Sequence, residues 1–396
     1  MRTTTILYVQ LKEATCGYDK KRVGWWHDLV CCVLVVIHAE IMERAVPVFR
    51  AVGLLFVLGF SSGFVLAEEP SKPVRPPGLQ QGDTIMLVAP SGSISDERIE
   101  MAKEQLLALG YRIRVQDDAT NEYGYLAGDD ARRAAELMSA FRQPDVAAVF
   151  PMKGGYGATR ILDRLDYEVI RQNPKILVGY SDITALHLAL AAKANLVTFH
   201  SPNGSTGFAP ETGMNDYAAK YFWRSILADQ NGESSSPIIY ESPAGSTPIG
   251  AMRPGMAQGR LTGGNLTLIS SLMGTSYEIQ TTGRVVFLED VGEAPYRIDR
   301  YLSQLKLAGK LRDPAAVILG QFTDCDADAG LSLQQVFKDY FGDVPYPVIT
   351  NFPAGHVSSN ATLPMGTRVE VDADQRRVTV LQNPVSSRRV AAGAKR

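Results

Sequence analysis

Beyond residue 83, short apolar runs alternate with segments whose apolar residues recur at helical spacing. The run at 84–89 predicts a buried strand that ends in the loop Pro90-Ser91-Gly92. Ile99, Ala102, Leu106 and Leu109 then share one helical face, and Gly110 closes that helix. Residues 112–115 predict a second strand, 130–141 a second helix, and 146–150 a third strand. A fourth apolar run at 176–178 leads into a helix at 184–192, rich in Ala and Leu, and a further strand covers 196–200. Strands and helices alternating at this spacing form parallel βαβ units in an open sheet. Ligands of such sheets bind beyond the carboxyl ends of the strands. Three loops meet there: Pro90-Ser91-Gly92, Lys153-Gly154-Gly155-Tyr156-Gly157, and Gly179-Tyr180-Ser181-Asp182.

After His200 the pattern breaks. Residues 201–213 and 231–248 are rich in Gly, Pro, Ser and Asn, with a helical stretch at 217–227 between them. A first domain is therefore expected over 79–204 and an inter-domain connection over 205–255. A second domain over 256–382 mixes short strands and helices, at 260–261, 265–272, 284–288, 297–308, 315–319, 333–341, 348–351, 368–371 and 377–381. The tail, 383–396, has four basic residues and no period, and is expected to be disordered.

The first 67 residues stand apart. An apolar run at 51–66 follows Arg44 and Arg50 and ends in Val65-Leu66-Ala67 before Glu68-Glu69-Pro70. A charged start, a short apolar core and a small-residue exit describe a secretory signal cleaved after Ala67, giving a periplasmic or secreted protein. The run is short and Gly/Ser-interrupted for a bilayer span, so no stable membrane anchor is expected after processing. Met42-Glu43-Arg44 is a natural start for such a signal. Residues 1–41 then read as upstream sequence, or as a membrane-associated segment around the apolar patch at 29–37. Residues 71–78, with three prolines, form a linker.

Composition narrows the function. The 396 residues are 45% hydrophobic and 21% charged, with a formal net charge of −2, which lacks the basic excess of a nucleic-acid binder. Cys16, Cys31 and Cys32 lie near the N-terminus, leaving Cys325 alone in the body. No disulfide framework or cysteine-based zinc site is possible there. Nor does any His/Asp/Glu cluster have metal-ligand spacing, so no metal site is expected.

Ser181 sits at a sharp strand-to-helix corner. That is the geometry of a nucleophile elbow, although the sequence is not Gly-x-Ser-x-Gly. The competing reading is that Ser181 caps the helix. Gly154-Gly155-Tyr156-Gly157 lacks the spacing of a nucleotide fingerprint. It could instead bring backbone N–H groups close to a developing oxyanion, or be a plain tight turn. A serine nucleophile needs a base and an orienting acid. The histidines past the signal are His187, on the helix leaving the corner and better suited to packing; His200, at the end of a strand; and His356, on a loop after an apolar strand. For the acid, Glu289 and Asp290 end the apolar strand at 285–288 and Glu293 follows. Spacing does not rank them.

Several stretches resemble the serine peptidase family of LD-carboxypeptidases and microcin-immunity proteins. They are Val88-Ala-Pro-Ser-Gly92, Gly154-Gly-Tyr-Gly157 with Arg160-Ile-Leu162, Gly179-Tyr-Ser-Asp-Ile-Thr184, Leu261-Thr-Gly-Gly-Asn-Leu-Thr-Leu268, Phe287-Leu-Glu-Asp290 with Pro295-Tyr-Arg-Ile-Asp-Arg300, and Pro353-Ala-Gly-His356. They span about 79 to 382 in the family's order. The resemblance implies Ser181 as nucleophile, Glu289 as acid and His356 as base, with backbone N–H groups of Asp182 and a loop glycine, Gly155, as oxyanion donors. It implies an α/β fold: an N-terminal flavodoxin-like open parallel sheet plus a C-terminal mixed domain with a β-barrel-like core. It also implies a homodimer without cofactor, whose site lies between the domains. Lys153 before the glycines departs from the family's pattern. The implied reaction is hydrolysis of the bond between meso-diaminopimelate and the terminal D-Ala of murein tetrapeptides. Cleavage of a peptidyl-nucleotide antibiotic is the alternative within the family, and a non-catalytic wall-binding protein the alternative outside it. A carboxypeptidase must also pair the substrate's terminal carboxylate, for which Lys153, Arg160 and Arg297 are the candidates.

Overall fold

Strands β1 (Thr84–Val88), β2 (Arg112–Arg114), β3 (Val146–Pro151), β4 (Ile176–Gly179) and β5 (Thr198–His200) pair in parallel, in the order β2-β1-β3-β4-β5. This is the flavodoxin-like order, and it reverses between β1 and β3. All five residues of β1 are buried, as a parallel strand covered on both faces requires. Helices α1 (Asp96–Ala108), α2 (Asp130–Arg142), α3 (Tyr167–Gln172) and α4 (Thr184–Lys193) make the crossovers. Asp129 starts α2 by accepting a hydrogen bond from Arg132 N at 2.8 Å, and Asp166 does the same for α3 from Val169 N at 3.1 Å. Helices α5 (Gly204–Phe208) and α6 (Asp216–Ile226) follow.

This computed structural model describes residues 72–387, except 117, 210–212, 229–236 and 327–328. The expected extension and signal at 1–67 therefore lie outside the described residues. Among those described, no helix is long and apolar enough to cross a membrane.

The second sheet has eight strands: β6 (Ile238–Tyr240), β7 (Gly250–Arg253), β8 (Met256–Asn265), β9 (Arg284–Val291), β10 (Ala316–Thr323), β11 (Val348–Thr350), β13 (Arg368–Asp372) and β14 (Arg377–Val380). Their order is β6-β14-β13-β8-β9-β10-β11-β7. Its centre, β8-β9-β10-β11, is parallel, with crossovers through α7 (Leu266–Ser271), α8 (Pro295–Leu307) and α9 (Leu333–Phe341). The flanks are antiparallel. Among the described residues no pairing joins β6 to β7, so the sheet runs edge to edge. Both edge strands come from 205–255, the stretch read as connection. The remaining strand, β12 (Leu363–Met365), packs against this half but pairs antiparallel with β5 in the first sheet.

Two sequence expectations are corrected. The run at 265–272 is not one element: β8 ends at Asn265, whose side chain caps α7 by accepting from Leu268 N at 3.2 Å. The tail is docked through residue 387 rather than disordered from 383: Val385 is buried, and Ser386 N donates to Pro76 O at 2.8 Å. A buried apolar residue gave the tail something to dock with. Residues 388–396 lie outside the described residues.

The two sheets share one apolar core, in which Leu186 and Leu190 of α4 join Leu266, Val286 and Ile298 of the second half. The tightest approach is at Gly263-Gly264. Both have left-handed φ, +124° and +134°. A Cβ on Gly263 would stand 1.9 Å from Phe287 O on β9, and one on Gly264 would stand 2.6 Å from Thr184 Oγ1 at the start of α4. Asn265 N completes the seam by donating to Thr184 Oγ1 at 3.1 Å. Gly263→Ala is therefore expected to destabilise the fold by about 3 kcal/mol or more, combining left-handed strain with overpacking. Gly283→Ala, at φ +65° with open space around it, should cost only about 1–2 kcal/mol. Urea unfolding of both variants checks this, and equal losses would mean that β8 does not pass β9 closely at Gly263.

Candidate active site

The corner between β4 and α4 is a single 3₁₀ turn, Ser181–Ile183. Ser181 has φ +62°, a left-handed conformation that a non-glycine residue holds only under constraint. Neither the 3₁₀ turn nor α4 receives a side-chain cap, so the capping role weighed for Ser181 is not the one it plays. The Gly154 backbone lies directly against it. A Cβ on Gly154 would sit 2.9 Å from Ser181 Cβ, 3.1 Å from its Oγ and 3.3 Å from Asp182 N. Any side chain at 154 would thus occupy the space in front of the hydroxyl, while Gly155 takes φ +96°.

Three loops are tied together behind this corner. Asp182 is buried, and its Oδ2 accepts from the Ser91 hydroxyl and, at 2.8 Å, from Ala158 N. Burial pushes its carboxyl above the usual range. Gly92 N donates to Gly154 O at 3.1 Å. Arg133, on α2, is fully buried and donates to Pro90 O at 2.6 Å and Gly157 O at 2.7 Å, while it pairs with Asp130. One helical turn on, Glu136 accepts from Ala89 N at 2.8 Å and from Arg132 at 3.0 Å. Burial raises the Glu136 carboxyl to about 7.

Across the seam, Glu289 lies in the buried part of β9 with no exposure and accepts from His356 Nδ1 at 2.7 Å. Burial pushes Glu289 up, and the contact with His356 opposes that shift. The loop carrying His356 passes close above the carboxylate because residue 355 is glycine: a Cβ there would lie 2.9 Å from Glu289 Oε2. Thr323 Oγ1 holds the loop by donating to His356 O at 3.0 Å. The imidazole packs on Tyr180, ring centroids 4.7 Å apart, and Tyr180 is the residue before Ser181. With Nδ1 engaged by Glu289, the nitrogen left for chemistry is Nε2.

The other acids have different work. Asp290 accepts from Asn265 Nδ2, Thr267 N and Thr267 Oγ1, each at 2.9 Å, which fixes the start of α7. Glu293 faces Arg297 at 3.3 Å near the surface. His187 lies under the corner; its Nε2 donates to Gly179 O at 2.8 Å, and its Nδ1 accepts from Thr198 Oγ1 at 2.9 Å. Burial lowers it to about 4, so it is a neutral packing residue. His200 is buried against Phe287 and Tyr180, and neither of its ring nitrogens has a hydrogen-bond partner. Burial holds its pKa well below the usual value. Of the cations, Lys153 adjoins Gly154 and donates to Ser93 O at 3.2 Å, Arg160 pairs with Asp130 at 3.0 Å, and Arg297 pairs with Glu293. Among the described residues, no group of three or more His, Cys, Asp or Glu side chains is placed to hold a metal ion.

Sequence reasoning missed Arg133, Glu136 and the Asp182 carboxylate. A signal existed for the first two. Arg133 shares the inward face of α2 with Leu137, Ala140 and Phe141, and Glu136 is buried beside them. Charged residues on an apolar stripe are buried with a purpose or not at all.

Comparison with known proteins matches both halves of the chain. Residues 85–201 match the LD-carboxypeptidase N-terminal domain, and residues 258–371 match the LD-carboxypeptidase C-terminal domain. A probable murein peptide carboxypeptidase of Bacillus subtilis is 35% identical over 311 residues, 77% of this chain and 94% of that one. The murein tetrapeptide carboxypeptidase of Pseudomonas aeruginosa is 30% identical over 298 residues, 74% of this chain and 94% of that one. The Microcin C7 self-immunity protein MccF of Escherichia coli is 27% identical over 340 residues, 80% of this chain and 98% of that one. A wild-type apo structure of MccF superposes with a TM-score of 0.72 at 25% identity, covering 79% of this chain and 100% of that one. Both halves are thus matched in order, and the chain belongs to the LD-carboxypeptidase family of peptidases.

Proposed function

We propose that the protein is a serine carboxypeptidase that releases the terminal D-Ala from murein tetrapeptides by cutting the meso-diaminopimelate–D-Ala bond. One observation carries the mechanism: the buried Glu289–His356 pair, at 2.7 Å, packs on the ring of the residue that precedes a strained, uncapped serine. In this reading Ser181 Oγ attacks the scissile carbonyl carbon while His356 Nε2 takes its proton. The N–H groups of Asp182 and Gly155 bind the oxyanion, a contribution of about 10²–10³ in rate per donor. His356 returns the proton to the D-Ala nitrogen as the C–N bond breaks. Water then repeats the sequence on the acyl-enzyme, which frees the tripeptide and restores Ser181. Glu289 orients the imidazole and balances its charge while it is protonated. The murein substrate is favoured over a peptidyl-nucleotide by the higher identity to the murein peptide enzymes, 35% against 27% for MccF.

The terminal carboxylate must be paired, since burying it alone would cost several kcal/mol. Lys153 is the cation we assign to it, because it adjoins the glycine that faces Ser181, whereas Arg160 and Arg297 already face carboxylates. We further infer a homodimer that is exported after cleavage near Ala67.

Three outcomes test this reading. Purified residues 68–396 should release D-Ala from the tetrapeptide, with a loss of about 10⁴ or more in kcat/KM on a C-terminally amidated tetrapeptide, whose neutral end leaves the cation unpaired. Equal rates on the two substrates would exclude a carboxylate pocket. Ser181→Ala should lower kcat by several orders of magnitude in a folded protein, and Glu289→Gln by about 10²–10⁴ with little change in KM. If Glu293→Gln proved the more damaging change, Glu289 would not be the acid. For export, N-terminal sequencing of periplasmic material should begin at Glu68, and an uncleaved cytoplasmic product would reject the signal.

A further inference from the structure

The oxyanion hole of the proposed mechanism draws its two amides from different segments. Asp182 sits on the corner after β4, and Gly155 sits on the loop after β3. Loops of this composition are loose by default, because glycine restricts the backbone least. Yet an oxyanion hole works only when its donors stand ready before the charge develops. Something must fix one amide relative to the other.

Both ends of the loop are held. At its start, Gly154 O accepts from Gly92 N at 3.1 Å. At its end, Gly157 O accepts from Arg133 at 2.7 Å, and the next residue, Ala158, donates its N–H to the Asp182 carboxylate at 2.8 Å. The side chain of one oxyanion residue therefore tethers the loop that carries the other. The remaining bonds close the ring: Ser91 donates to the same Asp182 oxygen, and Nη1 of Arg133 donates to both Gly157 O and Pro90 O, the carbonyl just before Ser91. Ser91 and Arg133 have no exposure and Asp182 has 1%, so water does not compete for these bonds. A planar guanidinium suits the task, since Nη1 bonds both carbonyls while Nη2 pairs with Asp130, a fixed division of donors that a single ammonium nitrogen lacks.

We propose that Arg133, Ser91 and the Asp182 side chain are positioning residues: a buried frame that sets the Asp182 and Gly155 amides at their working separation before substrate binds. The frame rests on Ser181 being the nucleophile. It touches neither substrate nor reacting atoms, and its contribution belongs to the transition state rather than to substrate binding.

The test compares Ser91→Ala and Arg133→Lys with the parent in three measurements: steady-state kinetics on murein tetrapeptide, the rate at which a fluorophosphonate labels Ser181, and thermal unfolding. Labelling places a phosphonyl oxygen in the same hole, so it reports the hole without the peptide. Ser91→Ala should lower kcat about tenfold and Arg133→Lys about 10²-fold, the size of a small misplacement of catalytic groups. KM should stay within about twofold, and labelling should slow in step with kcat. A folded variant that keeps parental kcat, raises KM alone, or loses kcat without slower labelling would overturn the frame. Should Arg133→Lys not fold, Ser91→Ala, which removes only one hydroxyl, decides alone. A parent that neither turns over nor takes the label would sink the reading of Ser181 and the frame with it. An active parent with indifferent variants would sink only the frame.

Discussion

Everything proposed for this site depends on one close approach, where the glycine pair Gly263-Gly264 carries β8 past β9 and onto the first turn of α4. The serine belongs to one sheet and the carboxylate–imidazole pair to the other, so their relation is only as good as this contact. Backbone against side chain at van der Waals distance, closed by the bond from Asn265 N to Thr184 Oγ1, leaves no slack for one half to slide on the other. Asn265 also donates to Asp290, the neighbour of Glu289. A short path of bonds thus runs from the helix behind the serine to the strand that bears the acid. The shared apolar core supplies cohesion, and the seam supplies register.

Much of this was legible in the sequence for a simple reason. Parallel strands covered on both faces are continuous apolar runs, and β1, β3 and β4 could hardly be anything else. The loops that follow them must then meet at one edge. Family motifs added what spacing could not: Glu289, Asp290 and Glu293 are indistinguishable as letters. In the structure one bonds an imidazole, one starts a helix and one faces an arginine at the surface.

The misses share a cause as well. Strands β6, β7 and β12 are three or four residues long, and their partners lie far away in the chain. Their pairing is decided by what the tertiary structure offers rather than by local pattern. β12 even contains a proline, which fits only because it lies at the edge of its sheet. Arg133 and Glu136 were overlooked because charge normally marks the wet face of a helix, and here it marks the face turned toward the loops. Val385 shows the converse: one apolar residue in a polar tail was enough to dock it.

The exchange of β12 into the first sheet bears on how the chain is made. The β5 edge it covers is complete by His200, but its partner is encoded about 160 residues later. At roughly 5–20 residues per second, a ribosome takes on the order of 10–30 s to deliver it. For that interval the nascent first half presents an open, apolar strand edge, which is a template for pairing with any neighbouring chain. The same strand, once it arrives, stitches the C-terminal half into the sheet of the N-terminal half. The two halves therefore fold as one object, and the N-terminal half cut away after β5 would be a sheet waiting for its last strand.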